Sequence, residues 1–577
     1  MSYSLVVVDT TQIQSYIFAS NRLAENIGAS WLVKQATGSW ALETVRRVAP
    51  RNNISDATKG ALTQSSRIES GALDAEVIYA AGANVLVIFT NDKSAGEFIR
   101  QLSRRVLCAA PGLTLLFARQ SFDWSSSGDL FRAVQDAFKD VERQKAERAF
   151  DAPLLGLGVT AACRSTGLPA NALYSYGSDK HHPLASGIVA KLRAADHSHD
   201  ELRALFQGLL GDEYDFPRDF DDLGRSKGEQ SFIAVAHVDG NGFGQAMVEL
   251  GKQHQRDHRA YITAMRKRSD ALDEAAREAL HDTVQALIYA IQRGQDKNGA
   301  PTRLIGKDAE REDTLKLKNK AKNEGFLPFR PLVFGGDDTT FVCDGRLGLS
   351  LATDYLALFA DRAEQKLKQA GVLLNGETPS ACAGVAIVKS RYPFSRAYHL
   401  ADELCSSAKR FRAQEKSRAN QEPGCFLDWH FALSGLIGNI EDVRRREYTT
   451  QHGSLTLRPV SLEPLTRNAS LDARTARSWT VVERLVQSFQ GEAWAERRNK
   501  VKALREALRE GPQAVERFAL IYRLGKPALP ELTEGDKGEH RNTGWLDGAD
   551  VKDKRCAYFD AIELADLYVP LQLKEMA

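Results

Sequence analysis

The sequence predicts an α+β chain made of two ferredoxin-like βαββαβ domains, with a small insert domain between them and a C-terminal helical domain after them. Three observations carry this. The succession strand, helix, strand, strand, helix, strand can be read twice, once from residue 4 and again from residue 231. Each copy has a glycine-bearing hairpin at the same place, Ala81-Gly82-Ala83-Asn84 in the first and Gly335-Gly336-Asp337-Asp338 in the second. A chain of 577 residues, 43% hydrophobic and 26% charged, is long enough for several cores of ordinary globular composition.

In the first copy, SLVVVDT (4–10) is a short apolar, β-branched run and reads as the opening strand. Residues 12–48 have helical spacing broken at Gly28, and EVIYAAGANVLVIFTN (76–91) reads as a hairpin. SAGEFIRQLSRRVLCA (94–109) is an amphipathic helix and LTLLFARQSF (113–122) the closing strand. In the second copy, SFIAVAHVD (231–239) is the opening strand. A strong helix is expected over 269–294, with Ser269 as N-cap, Gly294 as stop, and Leu272, Ala276, Leu280, Val284, Leu287 and Ile291 on one face. PLVFGGDDTTFVC (331–343) is the hairpin, 348–371 the second helix, SACAGVAIVKS (380–390) the last strand and 395–414 a further helix. Between the copies lie CRSTGLPA (163–170) and the histidine-bearing YSYGSDKHHPLASG (174–187), in what reads as a helical connector or small insert. The domain limits expected are 1–124, 125–228, 229–418 and 419–577, the last mainly helical.

Composition narrows the class. The opening MSYSLVVVDTTQIQ has no basic leader, and its apolar run is too short for a signal peptide or a membrane span, so a cytoplasmic protein without membrane contact is expected. The seven cysteines are scattered singly, without a CxxC pair suited to zinc. A net charge of +2 gives no bulk attraction for polyanions, which leaves local basic runs such as LKLKNKAK (315–322), VRRRE (443–447) and ERRNKVKALRE (496–506) as phosphate-facing candidates or solvated faces.

The chemistry concentrates in the second copy. In a βαββαβ sheet the first strand and the central hairpin are neighbours, so Asp239 and Asp337 are expected on one surface. Two unpaired carboxylates about 4 Å apart repel by roughly 4 kcal/mol at an effective dielectric near 20, which a divalent cation relieves. Oxygen donors alone favour Mg²⁺ or Mn²⁺, which binds through one or two carboxylates and substrate phosphates, and a pair of such ions serves in-line phosphoryl transfer. The following DGNGFG (239–244), through Gly240, Asn241, Gly242 and Phe243, offers backbone N–H groups to a triphosphate. Gly335 and Gly336 leave room for a base or ribose, and Lys409 on the last helix can reach phosphate. As a strand-end aspartate Asp239 is alone an ordinary turn former, and GGDD alone an ordinary tight turn. Together they point to metal and nucleotide.

HVDGNGFG (237–244), PFRPLVFGGDDTTFVCDG (328–345) and SACAGVAIVKSRYPFSRAYHLADELCSSAK (380–409) resemble the catalytic palm of the large polymerase subunit of type III CRISPR effector complexes, a family related to GGDEF cyclases. DTTQIQSYIFASNRLAENIGASWL (9–32) is similar to that family's first palm, and CFLDWHF (425–431) with LTLRPVSLEPL (455–465) to the opening of its helical C-terminal region. The resemblance implies a nucleotidyltransferase that converts ATP to cyclic oligoadenylate second messengers in antiviral defence. It implies Asp239 and Asp337 as metal ligands, Asp338 as an auxiliary ligand, the Gly240 carbonyl as a further ligand, and two Mg²⁺ or Mn²⁺ ions. The implied partners are guide or target RNA and other subunits of a type III complex. This chain opens directly in the first palm, so a member without the HD nuclease domain is expected, and His281-Asp282 reads as a solvent-facing pair rather than a substitute for it. The AGAN hairpin lacks acids, which makes the first palm a structural partner with Asp9 as a cap or relic. The family's zinc-binding cysteine pairs are missing, leaving Cys163 with His181, His182, His197 and His199. The competing readings are a GGDEF-like cyclase using GTP and a non-catalytic nucleotide-binding scaffold subunit.

Overall fold

Strand β1 (Ser2–Thr11) is apolar without alternation because both of its faces are covered. Val6 and Val8 point into one core, and Leu5 and Val7 into another, all of them fully buried. The computed structural model in which this is seen describes residues 2–63, 65–82, 84–147, 158–175, 181–223, 231–295, 301–306, 314–321, 324–419, 422–432, 438–465, 471–491, 494, 498–548 and 553–571. β1 pairs with β3 (Asn84–Phe89) and with β4 (Thr114–Asp123), and β3 pairs with β2 (Ala75–Ala81), all antiparallel, in the order β2–β3–β1–β4. One face carries α1 (Leu23–Thr37) and α2 (Asp92–Ala109); the other carries α3 (Asp129–Glu147). The expected limit at 124 therefore falls between the sheet and a helix that covers it, since Leu130, Ala133, Val134, Ala137 and Val141 of α3 face Leu5 and Val7.

The same adjacency recurs. β5 (Phe232–Gly240) pairs with β7 (Asp338–Asp344) and β8 (Ala381–Lys389), and β7 with β6 (Phe329–Gly335), giving β6–β7–β5–β8. Here too the opening strand feeds two cores. Ala234, Ala236 and Val238 face the long helices, whereas Ile233 and Val235 join the core that already holds Val6 and Val8. The two sheets thus share a hydrophobic layer containing α1, α2 and α8 (Phe394–Ala419).

Several expectations change. The helix expected from Ser269 begins a full eleven residues earlier as α6 (His258–Tyr289), because the Asp257 carboxylate caps the N–H groups of Arg259 and Ala260. Ser269 is interior and buried, and Gly294 lies in a short strand, Gln292–Gln295, instead of stopping the helix. A separate helix α5 (Phe243–His254) precedes α6, and α7 (Gly348–Ala370) packs against α6. The sheet also runs past the expected limit at 418. The segment Phe426–Ala432 joins β8 in parallel as β9, with Phe431, Trp429 and Leu427 buried, and Val460–Ser461 adds an edge. Beyond it come helices such as Trp479–Gln490 and Arg498–Glu510, together with a four-stranded sheet of very short strands that helical periodicity could not signal.

The insert contributes α4 (Ser186–Leu205) and a small hairpin, Ala172–Ser175 with His181–Leu184. Its histidines have separate structural tasks. His199 accepts from Arg330 at Nδ1 (3.1 Å) and lies 3.2 Å from Asp215 at Nε2, tying the insert to β6. His197 stacks on Trp31, and His181 contacts Ser175 Oγ at 2.9 Å. Among the described residues no group of three His, Cys, Asp or Glu side chains is arranged to hold a metal ion. Part of the basic run at 315–322 is engaged within the chain, since the exposed Lys318 pairs with Asp222 and Lys320 with Asp215. Among the described residues no helix is long and apolar enough to cross a membrane.

One buried acid on α7 has a measurable consequence. Asp354 is half-buried with Oδ2 enclosed and unpartnered, and burial together with nearby Glu483 pushes its carboxyl up to about 7. An acid raised above its unfolded value near 4 adds nothing below that pH; stability then falls as pH rises from 4 to 7 and stays lowered above it. Asp354→Asn is expected to raise stability at pH 8 by roughly 1–2 kcal/mol once solvent access is allowed for, seen as a higher melting temperature, and to leave it unchanged at pH 4. Thermal scans at the two pH values check this; an equal gain at both would show that ionisation is not the cause.

Candidate active site

Register brings the acids together. On β5 and β7, Asp239 stands directly opposite Asp338, and His237 opposite Thr340. Period-two alternation puts these four side chains on one face, the face over which α8 runs. The hairpin that carries Asp337 is as tight as expected. Gly335 pairs with Asp338, and Gly335 (φ 144°) and Gly336 (φ 65°) take backbone conformations that a side chain disfavours. The turn is pinned to β5 because Gly240 N–H donates to the Asp337 carbonyl at 2.9 Å.

Lys409 reaches this face from α8. Its ammonium lies 2.6 Å from Asp239 Oδ2 and donates to the Gly240 carbonyl at 3.0 Å. Burial lowers the affinity of Lys409 for its proton, but the Asp239 carboxylate outweighs that and holds the ammonium above its ordinary value. The other two acids are held above theirs. Burial raises Asp337, with Asp239 adding to it. Burial pushes Asp338 up to about 6, His237 opposing and the charges of Asp239 and Asp337 reinforcing. Asp338 Oδ1 is enclosed without a hydrogen bond, although the rest of the side chain opens to solvent.

These features meet the requirements of a divalent cation. The donors are all oxygen, one carboxylate oxygen is orphaned, and an ammonium already bridges a carboxylate and a carbonyl as a cation would. Among the described residues no three side-chain ligands gather, and the Gly240 carbonyl is the further oxygen beside these carboxylates.

Three expectations about the glycine motif shift. Gly240 and Asn241 cannot offer their N–H groups to phosphate, since Gly240 N–H serves the Asp337 carbonyl and Asn241 N–H the Ser380 carbonyl, each at 2.9 Å. The need for glycine at 240 is steric: a Cβ there would stand 2.3 Å from the Phe243 ring and 2.7 Å from Asp337 Cβ. Phe243 itself turns into the core against Phe359 and offers no side chain to a nucleotide. Gly242, at φ 74°, leads into the first turn of α5, whose N–H groups lack intrahelical partners and suit phosphate. The His281-Asp282 expectation holds in part: His281 is exposed, whereas Asp282 is buried and accepts from Arg362 at 2.7 Å.

The first copy repeats more of the site than its hairpin suggested. Lys145 of α3, the helix that follows β4 as α8 follows β8, lies 2.8 Å from Asp9 Oδ2. Gln12 adopts φ 55° at the position matching Gly242. The two turns face each other, since a Cβ on Gly336 would lie 3.8 Å from the Cα of Gly82; Ala83 is outside the described residues. The Asp–Lys pair therefore belongs to both copies, and the hairpin acids to the second alone. Lys145, His237 and Asp402 escaped the sequence reading; only His237 had a signal there, lying two residues before Asp239 on the same face.

No family model matches the chain, and no curated protein sequence matches it. Among solved structures it is similar to Csm1 subunits. A Csm1–Csm4 cassette in complex with AMPPNP shares 13% identity over 98% of this chain and 69% of that chain, with a TM-score of 0.45. The cassette in complex with cA4 shares 13% identity over 98% and 70%, with a TM-score of 0.44, and Csm1 in T. onnurineus 13% over 71% and 52%, with a TM-score of 0.37.

Proposed function

We propose that this chain is a metal-dependent nucleotidyltransferase that joins ATP into cyclic oligoadenylates, working with RNA and further subunits of a type III CRISPR-like assembly. In this reading both halves are ferredoxin-like palms and the second is catalytic. The observation that carries it is the contrast between copies: Asp9–Lys145 and Asp239–Lys409 are built alike, while Asp337 and Asp338 are added only in the second, where they strain the electrostatics without bonding the fold together.

In the mechanism, Asp239, Asp337 and the Gly240 carbonyl would hold Mg²⁺ or Mn²⁺, with Asp338 as an auxiliary ligand. When bound, the metal would supply charge stabilisation for in-line attack of a ribose hydroxyl on an α-phosphate, in which the α–β phosphoanhydride bond breaks, pyrophosphate leaves and the hydroxyl proton passes to water. Lys409 exchanges its bond to Asp239 for the triphosphate and keeps that charge positioned. The first turn of α5 binds phosphate through its N–H groups, and Gly335 and Gly336 leave space for the sugar or base. The protein supplies positioning and electrostatics, and no side-chain nucleophile is needed.

Purified protein incubated with radiolabelled ATP or GTP and Mg²⁺ or Mn²⁺, with and without RNA and partner subunits, is expected to give a metal-dependent cyclic product from ATP. Product from GTP alone would make the chain a GGDEF-like cyclase. Absence of product from either nucleotide under every condition would overturn the enzymatic reading in favour of a scaffold.

A further inference from the structure

We propose that His237 is a positioning residue for Asp338, holding its carboxylate from the neighbouring strand on the same face of the sheet, with Asp402 and Thr340 fixing the imidazole. This deepens the reading given above and rests on Asp338 being an auxiliary cation ligand.

His237 is almost wholly buried on β5, where its neighbours along the strand are Ala236 and Val238. Its ring nevertheless points its polar atoms at side chains. Nδ1 lies 3.4 Å from Asp338 Oδ1 and 3.2 Å from Thr340 Oγ1, and Nε2 lies 3.6 Å from Asp402 Oδ1. The Tyr398 ring closes the side, 5.4 Å away at 63°. Asp338 Oδ1 is the oxygen that is enclosed and without a hydrogen bond, so His237 is the group placed to hold it and leave Oδ2 for the cleft.

The first copy is an internal control. The residue two before Asp9 is Val7, and it pairs with Leu86 just as His237 pairs with Thr340. On the helix that supplies the lysine, Asp402 lies seven residues before Lys409, and the residue seven before Lys145 is Phe138. Val7 and Leu86 are core residues, and Phe138 packs on the same cluster. The fold therefore accepts three apolar residues at these places while keeping its Asp–Lys pair. The polar trio His237, Thr340 and Asp402 occurs only in the copy that has the hairpin acids, so it answers to those acids and not to the architecture.

A carboxylate oriented from behind presents a fixed oxygen, and loss of such support weakens metal affinity more than it weakens the fold. The test is Mn²⁺ binding to the full chain by electron paramagnetic resonance, alongside Mn²⁺ and ATP titrations of product formation. His237→Phe, which matches the apolar first copy, is expected to raise the Mn²⁺ dissociation constant roughly tenfold with KM for ATP changed less than about twofold. His237→Asn, which keeps a donor near the Nδ1 position, is expected to recover most of the affinity. Asp402→Ala, at a half-exposed site that tolerates truncation, is expected to give a smaller rise in the same direction. Unchanged Mn²⁺ affinity in both His237→Phe and Asp402→Ala, with an active wild type, would overturn the positioning role alone. A wild type that neither binds Mn²⁺ nor makes product would overturn the proposed function, and this inference with it.

Discussion

Asp337→Asn/Asp338→Asn is expected to lose product formation by at least about a thousandfold while melting at a higher temperature than the wild type in metal-free buffer at pH 7.5. Both effects come from the same charges. Asp337 and Asp338 are held above the usual carboxylate range, first by burial and then by Asp239, with Asp338 reaching about 6. For acids raised in the folded state the sign is fixed: no penalty below about pH 4, stability falling as pH rises through the folded value, and the full penalty above it. Neutral amides remove that penalty, so the stability gain should vanish near pH 4. Adding Mg²⁺ should narrow it at pH 7.5, because the cation stabilises only the wild type. Scanning fluorimetry with and without EDTA, beside the radiolabelled ATP assay, reads all three. Unchanged product would remove the acids from the mechanism, and a lower melting temperature would mean that they brace the hairpin.

The two four-stranded sheets were legible in the sequence because strands buried on both faces and a glycine-marked turn leave strong local signals, and both turns fall where the glycines put them, although the second hairpin's strands run from Phe329 to Asp344. Ser269 misled because N-cap preference is shared by many polar residues, and Asp257, twelve positions earlier, did the capping. The strand Phe426–Ala432 was hidden because a short run pairing with a strand some forty residues upstream has no local mark of its partner. Of the site, Asp239, Asp337, Asp338 and Lys409 converge, since strand period and helix order fix them. What no periodicity could give was the identity of the bonds: that Gly240 and Asn241 spend their N–H groups on the fold, that Phe243 is core, and that Lys145 repeats Lys409. An aspartate–lysine pair is common to both halves, so the hairpin acids and the polar trio beside them distinguish the second.

Gly384→Ala is expected to be the most destabilising single methyl in the half that carries the hairpin acids. Gly384 lies on β8 opposite His237, where α8 comes closest to the sheet. A Cβ built there would stand 2.0 Å from the Ala401 carbonyl oxygen, 2.3 Å from Cys405 N and 2.8 Å from Leu404 Cβ. The first two are helix backbone, which cannot step aside as a side-chain tip can, so the helix itself must lift. Overpacking of this kind costs about 3 kcal/mol or more. The displacement has a chemical consequence because α8 carries Lys409 and Asp402, which face Asp239 and His237 from it. A shift of about 1 Å in a positioned group can lower the rate by roughly a hundredfold. Lower melting temperature, lower soluble yield and a product rate reduced by at least about tenfold are therefore expected together. Gly424→Ala, where an added Cβ meets no atom within 4 Å, is the matched control and should be neutral. If the two variants behave alike, the close approach of α8 to β8 is not what sets the Asp239–Lys409 pair, and the position of that lysine must be held by its own ion pair instead.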